Sequence, residues 1–206
     1  MNLTHDRKWT TLLFNPFVYV AGAEALGLGL AAILGASLIG FISRTHFDGV
    51  LDTHTGAHAP LWIFLAEGLV DWLSLGLVLL IFGKIISNTA FRTLDLFGTQ
   101  ALARWPTLFI GLLTLPPAYQ RFNRELLAAV STPGSLPNFA SPDAAVFFAV
   151  AILVLPLICW MVALMYQAYS VSCNVKAGKA IGTFIAGLIL AEILSKIGVY
   201  VLFKLI

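Results

Sequence analysis

The sequence predicts an all-α protein, a polytopic bundle of transmembrane helices, and three observations lead to that prediction. Hydrophobic residues make up 59% of the 206 residues. Charged residues make up only 11%, against about 25% in soluble domains. The apolar residues also gather into segments long enough to cross a bilayer. A soluble fold of this size could not hide that much apolar surface from water, whereas a bundle in lipid needs an apolar exterior.

The spans follow from segment length. A helix needs about 20 mainly apolar residues to cross a hydrocarbon core of roughly 30 Å. Four segments meet this requirement and a fifth is shorter. The first is rich in Gly and Ala, which favours close packing inside the bundle. The predicted spans, within a single membrane domain of residues 1–206, are about 21–42, 61–86, 101–115, 144–169 and 181–203.

The third segment, 101–115, is the one whose path is left open. Arg104 and Pro106 lie near its start, and Pro116 and Pro117 follow its end. The segment could cross the membrane, enter and return, or lie on the surface. With Lys196 left uncounted within its span, Lys and Arg divide seven to four with five spans and eight to three with four. Both counts place the N-terminus in the cytoplasm under the positive-inside rule.

The first twenty residues are predicted to form an interfacial segment. Trp9, Phe14 and Tyr19 alternate loosely with polar residues, and Trp and Tyr favour the headgroup level of a membrane. The stretch begins like a signal peptide, but Asn15-Pro16 interrupts it. We therefore expect no cleavage.

The first loop, residues 45–58, is the most unusual polar feature. Imidazole and carboxylate groups are the ligands that suit zinc, iron or manganese. The loop therefore predicts a divalent-metal site, with zinc the obvious candidate. The alternative, and the favoured one, is a solvated loop whose Asp residues cap turns. The candidate ligands are His46, Asp48, Asp52, His54 and His58.

Two carboxylates lie inside the second span. Glu67 and Asp71 are four residues apart, so a helix places them on one face. Intramembrane carboxylates are costly and face the bundle interior or a water-filled cavity. If they line a hydrated path joined to the first loop, they indicate transport. If they accept hydrogen bonds from Ser, Thr or Trp on other helices, their role is structural.

The last span carries Glu192 and Lys196, also four residues apart in the favourable order for a helical ion pair. Mutual neutralisation is the favoured interpretation, and a proton or ion relay is the alternative. The sequence contains no recognised catalytic motif, cofactor fingerprint or zinc-protease motif. No catalytic or cofactor-binding residues are therefore assigned, and enzyme activity is not expected.

Two stretches resemble the Yip-domain family of five-span membrane proteins. They are FRTLDLFGTQALARWPTLFIGLLTLPP at 91–117 and MVALMYQAYSVSCNVKAGKAIGTFIAGLIL at 161–190. The resemblance implies five spans, a cytoplasmic N-terminus and self-association. Eukaryotic relatives act in vesicle traffic with small GTPases through a long N-terminal region. Only about twenty residues precede the first span here, so we expect no GTPase partner and a bacterial inner-membrane location.

Three functions remain as hypotheses. The first is a non-enzymatic scaffold, assembly or transport-related protein. The second is a divalent-metal channel or transporter that uses the His/Asp loop and the intramembrane carboxylates. The third and weakest is a membrane-embedded metallohydrolase, which needs three fixed ligands and an open position for a water. Burial and bonding of Glu67 and Asp71 distinguish a scaffold from a transporter.

Overall fold

The computed structural model describes residues 9–56, 58–132 and 136–204. Over this part of the chain the fold is a helical bundle with one short two-stranded hairpin. The elements are α1 Trp9–Phe14, a 3-10 turn Pro16–Val18, α2 Gly22–Ser43, β1 Thr45–His46, β2 His54–Thr55, α3 Leu61–Ile86, α4 Thr93–Leu102, α5 Thr107–Leu113, α6 Pro117–Ser131, α7 Pro142–Ser172 and α8 Ala177–Phe203.

Four of these helices are long and apolar enough to cross a membrane, namely α2, α3, α7 and α8. The shortest has 22 residues, about 33 Å at 1.5 Å per residue, which exceeds a hydrocarbon core of roughly 30 Å. Their bounds agree with the predicted spans, although α7 and α8 begin earlier than predicted. The all-α prediction is confirmed.

The third predicted segment is not one helix. Helix α4 ends at Leu102 and α5 begins at Thr107. The turn between them contains Pro106, which lacks an N–H and whose ring obstructs a continuous helix. The prediction of a helix at 101–115 also missed α4, because Asp95 and Gln100 make that stretch look too polar for a span.

Together α4 and α5 extend alongside α2 in the same direction. Glycines allow this approach, because a Cβ on Gly29 would overlap the backbone at Ala101 and Leu102. The contacts progress in register from one end of α2 to the other. Neighbouring pairs are Gly22 with Gly98, Gly29 with Leu102, Gly35 with Leu108, Ile39 with Gly111 and Thr45 with Thr114.

Helices α3 and α8 form an antiparallel pair. Gly187 of α8 packs against Leu79 and Phe82, and Gly198 packs against Val70. Helix α7 packs against α4 and α8, and it contributes the fully buried side chains Leu164, Met165 and Tyr169 to the main core.

The N-terminal segment packs on α7. Phe17 is buried in the main core, and the Trp160 indole Nε1–H donates to the carbonyl of Leu13 at 2.9 Å. Residues 1–8 of the predicted interfacial segment lie outside the described residues.

Helix α6 was not predicted as a helix. It is amphipathic, and its single fully buried side chain, Phe122, packs against Phe139, Phe147 and Phe148. Arg121 on its exposed face forms a bidentate pair with Asp143 at 2.6 and 2.7 Å. Helix α6 therefore packs against the first residues of α7.

Candidate functional site: buried charges beneath the first loop

The loop between α2 and α3 is folded back over the bundle by its own backbone. Strands β1 and β2 pair antiparallel, with Thr45 opposite Thr55 and His46 opposite His54. The Thr45 hydroxyl donates to the Thr114 hydroxyl at 2.8 Å, just beyond α5. These bonds hold the loop against the end of the α4–α5 segment.

His46 lies beneath the loop and is 2% exposed. Its Nδ1 is 2.7 Å from Glu67 Oε1 of α3, and its ring stacks on Phe64 with centroids 4.3 Å apart. The first intramembrane carboxylate is therefore bonded to the loop. A buried carboxylate is costly unless it is paired, and His46 supplies the partner.

Asp71 lies one helical turn further along α3 and is fully buried. It accepts a hydrogen bond from Arg104 Nη2 at 3.0 Å and another from the Ser195 hydroxyl. Arg104 belongs to the turn between α4 and α5, and Ser195 to α8. One carboxylate thus joins α3, α8 and the broken segment.

Arg104 as the partner of Asp71 was missed by sequence reasoning, which treated the arginine only as a mark against a third span. A usable signal was present, because a charged side chain inside an apolar segment pairs with another charge. The hydrogen bond from Ser195 agrees with the structural alternative for Asp71.

Glu192 and Lys196 contact the loop as well as each other. Their own ion pair is 3.8 Å. Lys196 Nζ lies closer to Asp52 Oδ2, at 2.5 Å, and Glu192 Oε2 accepts the backbone N–H of Leu51 at 3.0 Å. The predicted intrahelical pair therefore exists, but the shorter bonds fasten the loop to α8.

The remaining loop residues are more exposed. His54 Nδ1 is 3.1 Å from Asp48 Oδ1. That hydrogen bond raises the pKa of His54; burial opposes the shift, and the charges of Asp48 and Asp52 add to it. Burial raises the pKa of Asp48, but the bond to His54 and the charges of His54 and Lys196 outweigh it, so the pKa is lowered. His58 lies edge-on to the Phe41 ring.

The five predicted metal ligands therefore occupy different local environments. His46 bonds Glu67, His54 bonds Asp48, and Asp52 pairs with Lys196. Among the described residues, no three His, Cys, Asp or Glu side chains are grouped to hold a metal ion. The metal site stays a prediction from the sequence.

Two buried polar atoms of the network have no hydrogen-bond partner within the described chain, Glu67 Oε2 and Arg104 Nη1. Arg104 lines a cavity of about 10 Å³ beneath loop residues 47–53, closed on other sides by Ile110 and Met161. Such a cavity has room for about one water molecule. The network is thus compact, with space for about one water molecule beside the arginine.

The chain was compared with models of known protein families, with characterised proteins and with solved structures, and none of these comparisons produced a match.

Proposed function

We propose that this chain is a non-enzymatic scaffold or assembly protein of the Yip-domain type in a bacterial inner membrane. The observation that carries the proposal is the bonding of the intramembrane charges. Glu67, Asp71, Glu192 and Lys196 each bond another element of the same chain. A transporter requires such groups to line a hydrated path, whereas here they hold the bundle together.

Burial of Glu67 and Asp71 supports the same conclusion. Both side chains are fully buried, and the cavity beside Arg104 has room for about one water. Below Asp71, α3 continues with Leu75 and Leu79, which are buried in the apolar core. An ion that reached Asp71 would meet a closed apolar layer.

We further propose five crossings, with the α4–α5 segment as a broken third span. Its contacts follow α2 from Gly22 at the start of that helix to Thr45, just beyond its end, and a broken helix inside a membrane is tolerated where protein surrounds it. Arg104 supports this path, because its charge is neutralised inside the bundle by Asp71.

With five crossings, the distribution of cations supports an N-terminus in the cytoplasm. With Arg104 inside the third span and Lys196 inside the last, the remaining cations divide six to four in favour of the N-terminal side, as the positive-inside rule requires. The six are Arg7, Lys8, Lys84, Arg92, Lys176 and Lys179, and the four are Arg44, Arg121, Arg124 and Lys204.

The resemblance to the Yip-domain family adds self-association to the proposal. The surface is suited to contacts within lipid, because much of α7 and α8 exposes apolar side chains such as Ile152, Leu155, Ile189 and Ile193. The partners we expect are the bilayer and further copies of this chain, with neither nucleic acid nor a small GTPase among them.

The test separates a scaffold from a transporter. Full-length protein is reconstituted into liposomes and assayed for proton, Zn²⁺ and Mn²⁺ flux, and its oligomeric state is measured in the same membranes by single-molecule photobleaching. We expect flux equal to protein-free liposomes and assemblies larger than a monomer. Flux that Asp71→Asn abolishes would establish transport instead, and a strictly monomeric protein would contradict self-assembly.

Metal content provides the control for the metal hypotheses. Protein purified in detergent without chelator is compared with a variant carrying Asp52→Ala and His54→Ala. We expect no stoichiometric zinc, iron or manganese in either sample. Near-stoichiometric metal that is lost in the variant would overturn the scaffold interpretation of the loop.

A further inference from the structure

A second polar cavity lies at the opposite end of the bundle from the first loop. It has a volume of about 330 Å³ and opens between the α3–α4 connection and the α7–α8 turn. Asn174 Nδ2 donates to the Thr89 hydroxyl at 3.2 Å and joins the two walls. The cavity is lined by Ile86, Asn88, Thr89, Asn174, Lys176 and Lys179, with Val175 beside them.

The charge of this cavity is positive. Lys176 and Lys179 both line it, and its lining includes no carboxylate. Within the described part of the chain, neither lysine has an ion-pair partner. By contrast, nearby Arg92 is within 4.0 Å of Asp95. Two uncompensated ammonium groups in one concave site favour a bound anion.

Backbone donors reinforce that preference. Helix α8 has 27 residues, and its N-cap, Lys176, makes no capping hydrogen bond with its side chain. Across the described residues, the N–H groups of Ala177, Gly178 and Lys179 have no acceptor. Unsatisfied N–H groups and the helix dipole attract anions. A Cβ on Gly178 would meet nothing within 4 Å, so this backbone is open to a ligand.

The surroundings indicate where the anion comes from. The cavity lies where three membrane-crossing helices end or begin, since α3 ends at Ile86, α7 at Ser172 and α8 begins at Ala177. Ile86 and Val175 give it an apolar wall. A phospholipid combines an anionic group with an apolar part, so its phosphate can lie beside the lysines and its glycerol backbone against the apolar wall.

We propose that this cavity binds the phosphate of an anionic phospholipid headgroup, through Lys176, Lys179 and the N-terminal N–H groups of α8. The proposal depends on the membrane-crossing helices and is independent of the scaffold function. In the topology proposed above, the cavity faces the leaflet that carries the anionic surface potential.

The experiment titrates full-length protein in detergent with phosphatidylglycerol or phosphatidylcholine and counts bound lipid by native mass spectrometry. The test variant is Lys176→Gln with Lys179→Gln. The charge-matched control is Lys84→Gln with Lys204→Gln, since Lys84 lies over the Phe91 ring and Lys204 over the Tyr200 ring. A further variant, Asn88→Asp, adds a carboxylate to the cavity and keeps both lysines.

We expect the wild type to bind phosphatidylglycerol more tightly than phosphatidylcholine. The test variant should lose about tenfold or more in affinity for phosphatidylglycerol, as expected for two lysines at a membrane surface. Asn88→Asp should also weaken binding, and the control variant should bind like the wild type. Rising salt should weaken the binding that depends on the lysines.

Three results would overturn the proposal. The first is equal affinity for the two lipids, and the second is an equal loss of affinity in the test and control variants. The third comes from a parallel titration with inorganic phosphate: if phosphate binds through Lys176 and Lys179 while phosphatidylglycerol does not, the site takes a soluble anion. All three leave the flux and photobleaching tests of the scaffold function unaffected.

Discussion

The two ends of the bundle differ in whether their charged side chains are paired. At the loop end, which we define as residues 44–60 with the ends of α2, α3 and α8 that they cover, the charges bond one another and draw the loop onto the helices. At the turn end, defined as residues 87–92 with 173–179, Lys176 and Lys179 have no partner among the described residues. Paired charges stabilise a fold, and unpaired charges remain available to a ligand.

The reason for the difference lies in burial. At the loop end His46 and Glu67 are nearly inaccessible, so each needs an internal partner. Lysines at the turn end are exposed, and water or lipid headgroups solvate them at little cost. The same chain thus combines a structural charge network and an accessible cationic site, separated by the apolar core.

The largest effect is expected from breaking the network at its centre. Asp71→Ala leaves Arg104 buried without its carboxylate, and removal of one partner from a buried pair costs about 3–5 kcal/mol. Chemical unfolding in detergent, followed by circular dichroism, measures the loss.

The double variant Asp71→Leu with Arg104→Met sharpens this test. It removes both charges together, so we expect it to recover much of the stability lost in Asp71→Ala. The exposed pair of Arg121 and Asp143 provides the contrast, since Arg121→Ala should change stability far less. Equal effects of Asp71→Ala and Arg121→Ala would show that the buried network does not stabilise the bundle.

A smaller effect is expected where packing, and not charge, holds the broken segment. Gly29→Ala places a methyl group into the backbone at Ala101 and Leu102, and overpacking of this kind costs about 1–3 kcal/mol. Gly27, two residues earlier on the same helix, has open space around a Cβ. Gly27→Ala should therefore be neutral or slightly stabilising, and unfolding midpoints compare the two variants.

The smallest effect concerns the exposed pair of His54 and Asp48. The pKa of His54 is raised above its ordinary value of 6.5, and that of Asp48 is lowered below its ordinary value of 3.8. The pair therefore makes its full contribution to folding stability between pH 3.8 and pH 6.5. Its contribution is lost as pH rises through the folded pKa of His54, and as pH falls through the folded pKa of Asp48.

Stability of the wild type and His54→Gln is measured from pH 5 to 9. Above pH 6.5 the wild type should lose a small amount of folding free energy that the variant does not lose. The amount is small because His54 is half exposed. If the stability of the variant changes with pH as that of the wild type does, the pH dependence comes from other groups.

Much of the fold could be predicted because the bilayer imposes a strong requirement on sequence. Four spans were predicted from length and hydropathy, and α2, α3, α7 and α8 are found there. The third predicted span, 101–115, is divided between α4 and α5, and neither this break nor helix α6 was predicted. Arg104 lowers the hydropathy, and Pro106 the helix propensity, of the sequence around the break between α4 and α5. In α6 the polar residues outnumber the one buried side chain, Phe122, so no long apolar segment marks the helix.

The site was predicted as a set of residues but not as a set of bonds. Spacing alone placed Glu67 and Asp71 on one face of α3, because a helix repeats every 3.6 residues. Spacing could not show that Glu67 bonds His46 while Asp71 bonds Arg104, residues that are 21 and 33 positions away. Those partners depend on the course of the loop and of the α4–α5 segment.

The sequence by itself determined that the chain is an all-α, membrane-type bundle, because its apolar segments are long and its charges few. Only the tertiary structure decided which charges are paired and which are open. The physical reason is that hydropathy is a local property of a segment, whereas the cost of a charge depends on the partners that other helices bring to it.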